Sequence, residues 1–500
     1  MENYSEKELG DYQTPLFFTE IICKYLKDDL KIKPDYIIEP TCGIGNFLKT
    51  SSKFFPNCKL YGIDIDKNKL EKVDSSILNL SLINEDIFKF KFDDIDKTNS
   101  FLILGNPPWI TNTELSKINS NNLPQKSNYK KELAINAITG DSNFDISESI
   151  ILKMIEEFKD TNSTVAFLCK TIVSRNIFRE VIRRKIAYSF IKQLNFDSAK
   201  IFKIDADACL FIIQFGGKAV KNHKCEVSDI SNPSKILYEF GYVKDKFYSN
   251  LSDIPDIDGE CEFEWRQGVK HDCADIMELI CKNGQLFNKN GEMVDIEDSL
   301  IYPLLKSSNL KTAIVSESSK CLLVTQKKIK QNTYYIKNEA PKTWKYLNDH
   351  KEFFDKRKSS IYKKAPDFSI FGIGDYSFRK YKVAVSGFYK NPTFTLTYSK
   401  KPVMLDDTCY FLSFDDYDAA YISMLILNSE IVKKFLKNIA FLDSKRPYTK
   451  KVLKRIEISK CLKIMTIDDL KSTERKLKLK KHVSEEMLEK YKLLINAQTI

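Results

Sequence analysis

The chain has 500 residues, enough for two to four domains that each bury a core. Apolar content of 43% suits a globular protein, and there is no 18-residue apolar run to span a membrane. The first thirty residues carry acids and no apolar signal core, and the 12 cysteines are scattered without a C-x-x-C pair. Together these predict reduced thiols in a cytoplasmic protein. Residues 1–220 balance 30 basic against 30 acidic side chains, so the whole net charge of +11 falls on residues 221–500. Such asymmetry points to a polyanionic partner for the second part.

Residues 2–11 are polar and expected to fray. Thr14 is expected to cap a helix over Leu16–Leu30, with Pro15 at its first position. Tyr36–Ile38 reads as a short buried strand. It ends in Glu39-Pro40-Thr41-Cys42-Gly43-Ile44-Gly45-Asn46-Phe47-Leu48, where glycines two apart let backbone approach a ligand before a helix starts. The full G-x-G-x-x-G and the P-loop lysine are both missing, which argues against a dinucleotide or a nucleoside triphosphate. Leu60–Ile63 is a second strand ending in Asp64-Ile65-Asp66, an acid placed for ribose hydroxyls. Leu82-Ile83 is a third, ending in Glu85-Asp86-Ile87-Phe88. Phe101–Leu104 is a fourth, running into Gly105-Asn106-Pro107-Pro108-Trp109. There the two prolines stop the strand and stiffen a corner that carries an amide and an indole. Glu39, Asp64, Asp86 and Asn106 follow one another at intervals of 25, 22 and 20 residues. Each interval holds one helix and one strand, so four polar tips fall on one edge of a parallel sheet. Open α/β sheets bind ligands there. An amide beside a flat aromatic suits a planar group bearing an amine.

These residues, in this order, resemble the N6-adenine DNA methyltransferases of the γ arrangement, the TaqI-like group. Gln13-Thr14-Pro15 is similar to their motif X, Glu39–Phe47 to motif I and Gly62-Ile63-Asp64 to motif II. Asp86-Ile87-Phe88 resembles motif III and Asn106-Pro107-Pro108-Trp109 motif IV. The match covers residues 10–215, and it departs at Trp109, where most of the family has Tyr or Phe. The resemblance implies an α/β fold: a Rossmann-like S-adenosylmethionine-dependent methyltransferase domain over residues 1–217, followed by an α+β target-recognition domain over 218–500. It implies S-adenosylmethionine as methyl donor. Thr14, Pro15 and the turn of Glu39, Thr41 and Gly43 would face its methionine part, Asp64 its ribose, and Asp86 with Phe88 its adenine. Asn106 would serve both cofactor and target. It also implies catalysis by Asn106, Pro107 and Trp109 on an adenine flipped out of double-stranded DNA.

Thr111–Ser142 is rich in Asn and Ser and reads as a loop. Phe144–Phe158 is an expected helix, with motif V near Phe144-Asp145. Thr164–Leu168 is an expected strand, and Arg175–Ile191 a helix with a basic, solvated face. Lys200-Ile201-Phe202 and Cys209–Phe215 resemble the motif VIII hairpin. Phe202 would then be a second aromatic against the flipped base, with Phe196 nearby. Gly216-Gly217 is expected to end the first domain. In the second part, Trp265–His271 and Ile301–Leu305 resemble landmarks of the recognition region. Aromatic and basic residues interleave from Tyr334 to Tyr398. Lys445, Arg446 and Tyr448 are the sharpest expected DNA contacts. Thr466–Leu493 reads as a charged closing helix on the surface. Cys261, His271, Cys273 and Cys281 match no standard zinc spacing, so no metal is expected. Methylation of RNA or of protein glutamine, and the methylase part of a fused restriction-modification enzyme, stand as alternatives. A separate restriction endonuclease is a candidate partner, and one catalytic and one recognition domain permit a monomer.

Overall fold

The computed structural model describes residues 12–110 and 145–498. The expected loop at 111–142, Phe144 and the polar residues 2–11 lie outside the described residues. The chain divides into two compact units that meet at Ser252/Asp253.

In the first unit, α1 (Leu16–Lys24) continues through a π-helical turn to Asp29. Thr14 does not cap it. Pro15 holds the capping position, its carbonyl accepting from Phe18 and Thr19, and the Thr14 hydroxyl is left over. There follow β1 (Tyr36–Glu39), α2 (Asn46–Phe54), β2 (Lys59–Asp64), α3 (Lys67–Leu70), β3 (Leu80–Asn84) and β4 (Ser100–Gly105). Then come α4 (Ile146–Phe158), β5 (Asn162–Lys170), α5 (Thr171–Arg183), β6 (Phe190–Asp197), α6 (Ser198–Phe202) and β7 (Asp207–Gln214). Finally β8 (Lys224–Asp229), β9 (Asn232–Val243) and β10 (Lys246–Tyr248) complete one sheet, in the order β3-β2-β1-β4-β5-β7-β6-β8-β9-β10. The pairs from β3 across to β5 are parallel, and β7 runs antiparallel between β5 and β6.

Both faces of this sheet are covered, which is why its strands read as unbroken apolar runs. Ile38, Ile103, Val165 and Phe167 pack towards α4 and α5, with Ile151, Ile155 and Phe178. Their chain neighbours Ile37, Leu102, Leu104, Ala166 and Leu168 pack the other way, towards α1 and α2, with Phe18, Ile22, Phe47 and Leu48. Arg175 is buried on α5, not on a solvated face.

The first unit does not end at Gly217. β6 would otherwise be an open edge, and β8 pairs along it in parallel, from Lys192↔Glu226 to Asn195↔Asp229. Phe240 of β9 lies 5.2 Å, edge to face, from Phe178 of α5. The three extra strands therefore share the ten-stranded sheet and its core, and the division moves to residue 252.

The second unit is α+β. One six-stranded sheet has the spatial order Met293–Val294, Gln285–Phe287, Glu278–Lys282, Lys320–Leu323, Ile301–Leu305, Met404–Leu405. A five-stranded sheet runs Arg266–Gln267, Cys409–Phe414, Tyr381–Ser386, Thr395–Thr397, Ile314–Val315. Helix Tyr417–Asn428 is buried almost all round. The expected closing helix is two surface helices, Ile467–Lys476 and Glu485–Gln498, each with an exposed face and a buried one. Glu474 is buried, accepts from the Tyr421 hydroxyl at 2.7 Å, and takes the His482 and Val483 N–H groups of the break between them. No described helix is long and apolar enough to cross a membrane. Among the described residues no cluster of three His, Cys, Asp or Glu side chains is placed to hold a metal ion. His271 instead pairs with Glu278 at 3.4 Å.

Candidate active site

From β1 the chain builds β2 and β3 on one side, then crosses to place β4 on the other. The sheet edge between β1 and β4 is therefore the switch point at which crossovers diverge and leave a crevice. Glu39 is the last residue of β1, and Asn106 follows β4, so the two flank that crevice.

The glycine turn is built by backbone that only glycine adopts easily. Gly43 and Gly45 have φ of 54° and 78°, in the left-handed region. The Gly43 N–H donates to Asp64 Oδ2 at 2.7 Å and the Asp66 N–H to Asp64 Oδ1 at 2.8 Å. Asp64 thus ties the turn to the end of β2, and Asp66 caps α3 through the Asn68 N–H. The segment Tyr12–Thr14 is stitched across the crevice. Asn46 Nδ2 donates to the Thr14 carbonyl at 2.8 Å, and Asn106 Nδ2 donates to the Tyr12 carbonyl at 2.7 Å.

A small cavity results, lined by Tyr12, Gln13, Thr14, Glu39, Thr41, Cys42, Asn46, Phe47 and Asn106. Buried polar atoms are almost always paired. Here Thr14 Oγ1, Glu39 Oε2, Thr41 Oγ1 and Asn106 Oδ1 are all buried without a partner among the described residues, around this one cavity. Among the described residues no lysine, arginine or histidine lines it. Burial, and then the neighbouring Asp64, hold the Glu39 carboxyl well above the usual range. Burial also raises Asp64, against the N–H bonds from Asp66 and Gly43.

The structure thus brings Thr14, Glu39, Thr41 and Asn106 together. Pro15, Gly43, Asp64, Asp86, Phe88 and Pro107 do not line the cavity. Asp86 accepts from the Phe88 N–H at 2.9 Å in the turn after β3, and Phe88 is half-buried against the α4 side of the core. Trp109 is buried, and its indole N–H donates to the Leu168 carbonyl at 3.3 Å. It meets Phe202 edge to face, with centroids 5.5 Å apart and planes at 72°. Two residues escaped sequence reasoning. Tyr12 contributes a backbone carbonyl, which leaves no side-chain signal. Lys170, at the end of β5, donates to the Trp109 carbonyl at 3.1 Å and to Asp145 at 2.9 Å, bracing the Asn-Pro-Pro-Trp corner. A larger concavity of about 530 Å³ opens along the same sheet edge, between the ends of β5 and β6 and the start of β7.

In the second unit Lys445 is exposed, as expected. Tyr448 is a correction. It is fully buried, and its hydroxyl donates to the Lys390 carbonyl at 2.8 Å, so it is a core residue and not a DNA contact. Arg446 is engaged internally, donating to the Asp407 carbonyl at 3.1 Å and lying over the Phe388 ring at 4.8 Å. Tyr448→Phe is expected to cost about 1 kcal/mol of stability, read from the denaturation midpoint, and to leave nucleic-acid affinity unchanged.

No protein-family model matches the chain. It is 38% identical over 481 residues to the type II methyltransferase M.NspV of Nostoc sp., covering 92% of this chain and 98% of that protein. It is 32% identical over 110 residues to the type II methyltransferase M.CvrRI of Paramecium bursaria Chlorella virus XZ-6E, 21% of this chain and 27% of that protein. The solved structure of the type IIL restriction-modification enzyme MmeI in complex with DNA matches with a TM-score of 0.54 at 12% identity. It covers 100% of this chain and 80% of that one, a likeness of fold. With near full-length identity to M.NspV added to this sheet order and this crevice, the chain belongs to the type II methyltransferases.

Proposed function

We propose that the chain moves a methyl group from S-adenosylmethionine to adenine N6 in double-stranded DNA, and that it is of the γ arrangement. The observation that carries this is the state of Asn106. Its amide nitrogen is committed to the Tyr12 carbonyl, which leaves Oδ1 buried, without a partner among the described residues and able only to accept. An exocyclic amine supplies the missing donor. The order of a Gln-Thr-Pro segment, a glycine turn and then Asn-Pro-Pro-Trp supports the γ assignment.

The cavity fits the proposed cofactor in charge. Thr14 Oγ1, Glu39 Oε2 and Thr41 Oγ1, with no cation among the described lining residues, suit a ligand that brings its own N–H donors and positive charge. Thr14, Glu39 and Thr41 would hold its methionine part. Asp64, Asp86 and Phe88 would hold its adenosine. When bound, S-adenosylmethionine supplies a methyl group already activated for nucleophilic attack. The chain therefore has to align a poor nucleophile. The N6 lone pair is delocalised into the adenine ring. Acceptance of its two N–H bonds by Asn106 Oδ1 and the Pro107 carbonyl favours a tetrahedral nitrogen with its lone pair free. The proton leaves after transfer, so no strong base is needed. The target must be flipped out of the duplex to arrive here. As the rings stand, Trp109 and Phe202 leave no slot between them, so the proposed stacking requires the pair to part.

Gly43→Ala is expected to weaken S-adenosylmethionine binding by about ten-fold, since left-handed backbone costs a non-glycine residue about 1–2 kcal/mol. The new Cβ would also stand 2.5 Å from the Gln13 amide. Equilibrium binding measures it.

The second unit, within the part that carries the excess positive charge, is proposed to recognise the target sequence. A separate cognate nuclease and a monomeric state complete the proposal. The deciding experiment offers labelled S-adenosylmethionine with AT-rich duplex DNA and, in parallel, with RNA and with protein extract. Label recovered as N6-methyladenine in DNA is the expected result. Label in RNA or on protein glutamine would overturn the substrate assignment.

A further inference from the structure

With Tyr448 buried and Arg446 engaged, the expected DNA contact at 445–448 shrinks to Lys445, and another part of the second unit carries a better-built one. The turn Lys327–Gln331 is assembled from inside. Gln326 has no exposed surface, its Oε1 accepts from the Ile370 N–H at 2.9 Å, and its Nε2 donates to the Gln331 carbonyl. Gln331 Oε1 in turn accepts from the Lys327 and Lys328 N–H groups at 2.7 and 3.3 Å. Lys330 takes a left-handed φ of 65° to close the turn. The buried Gln326 and half-buried Gln331 amides thus shape a tip on which Lys327, Lys328, Ile329 and Lys330 are all exposed, Ile329 by 48%. Beside it Tyr334 is 53% exposed and bonded through its hydroxyl to Lys337. The acid that reaches the tip, Asp375, stands 3.9 Å from Lys328 with both side chains in solvent, a pairing too weak to occupy the lysine.

We propose that this turn is a DNA-contacting element of the second unit, with Lys327, Lys328 and Lys330 on phosphates and Ile329 wedged into a groove against a base step. The inference rests on the DNA reading above. The chemistry fits a duplex: three exposed lysines within four residues suit a polyanionic backbone, and apolar wedges between base steps are a recurrent way to deform DNA. A tip already held by internal hydrogen bonds loses little entropy on docking.

The test is anisotropy of a labelled mixed-sequence duplex of about 30 base pairs, titrated at KCl concentrations from about 50 to 200 mM. The variants are K327Q/K328Q/K330Q, Ile329→Ala and a charge-matched control, K478Q/K480Q/K481Q, on exposed lysines of the C-terminal stretch. Loss of three phosphate contacts should weaken binding by about ten-fold or more and flatten the salt slope by about 2–3, with the control near wild type. Ile329→Ala should keep the slope and lower the methylation rate of plasmid DNA by about five-fold or more. Unchanged denaturation midpoints confirm folding. An unchanged slope in the triple variant, or an equal loss in the control, overturns the proposal. A wild-type chain that binds no duplex overturns the DNA reading itself.

Discussion

Asn106→Ala is expected to lower the methylation rate constant by about 10³-fold while S-adenosylmethionine affinity stays within about five-fold of wild type. The split follows from the two ends of one amide. Oδ1 has no partner among the described residues, so its removal takes no hydrogen bond from them and everything from a target amine that needs an acceptor. Nδ2 holds the Tyr12 carbonyl, so its removal loosens one stitch across the crevice and leaves Asn46 to the Thr14 carbonyl and the Ile44 N–H to Gln13 Oε1. Asn106→Asp separates these further. It keeps the acceptor but sets a carboxylate oxygen against the Tyr12 carbonyl, so cofactor affinity should fall more than in the alanine variant. Transfer of labelled methyl groups gives the rate and calorimetry gives the affinity. Turnover of Asn106→Ala within ten-fold of wild type would remove Asn106 from catalysis.

The parts of the site that were legible in the sequence are those fixed by local rules. A buried strand must end where glycine or proline interrupts it, so Glu39, Asp64 and Asn106 could be assigned to strand ends, and the spacing put those ends on one sheet edge. What decided the rest was contact between distant residues. Tyr448 lies in a run of Lys and Arg, and only the Lys390 carbonyl, 58 residues away, makes it a core residue. Gly216-Gly217 has the composition of a domain boundary, yet β6 needed an edge partner and took β8. Thr14 fits the pattern of a helix cap, but Pro15 holds the cap and leaves the hydroxyl for the cavity. Trp109 as a stacking surface was read from its type alone. Its burial against Phe202 and the Leu168 carbonyl is a tertiary fact.

Glu39 is expected to make cofactor binding depend on pH. The titratable groups that face its carboxyl among the described residues are Asp64 on β2, Cys42 in the glycine turn and Cys23 on α1, none of them a cation, and the Leu48 N–H offsets their effect only in part. Burial and Asp64 therefore keep Glu39 protonated well above the usual range of a carboxyl group. The sign follows. An unfolded chain ionises this group at its ordinary pKa, so the folded, ligand-free protein loses stability as pH rises from there through the raised value. A bound cation beside Oε2 favours the carboxylate and lowers that pKa. Binding then releases a proton, and affinity rises with pH across the same window, about ten-fold for each unit by which the ligand lowers the pKa. Calorimetry in two buffers of different ionisation heat should show proton release on adding S-adenosylmethionine. Glu39→Gln should abolish that release and weaken binding by about 10–100-fold, because a neutral amide cannot meet the positive charge. If wild-type affinity stays flat as pH rises above the ordinary carboxyl range and no proton is released, Glu39 does not carry this charge match.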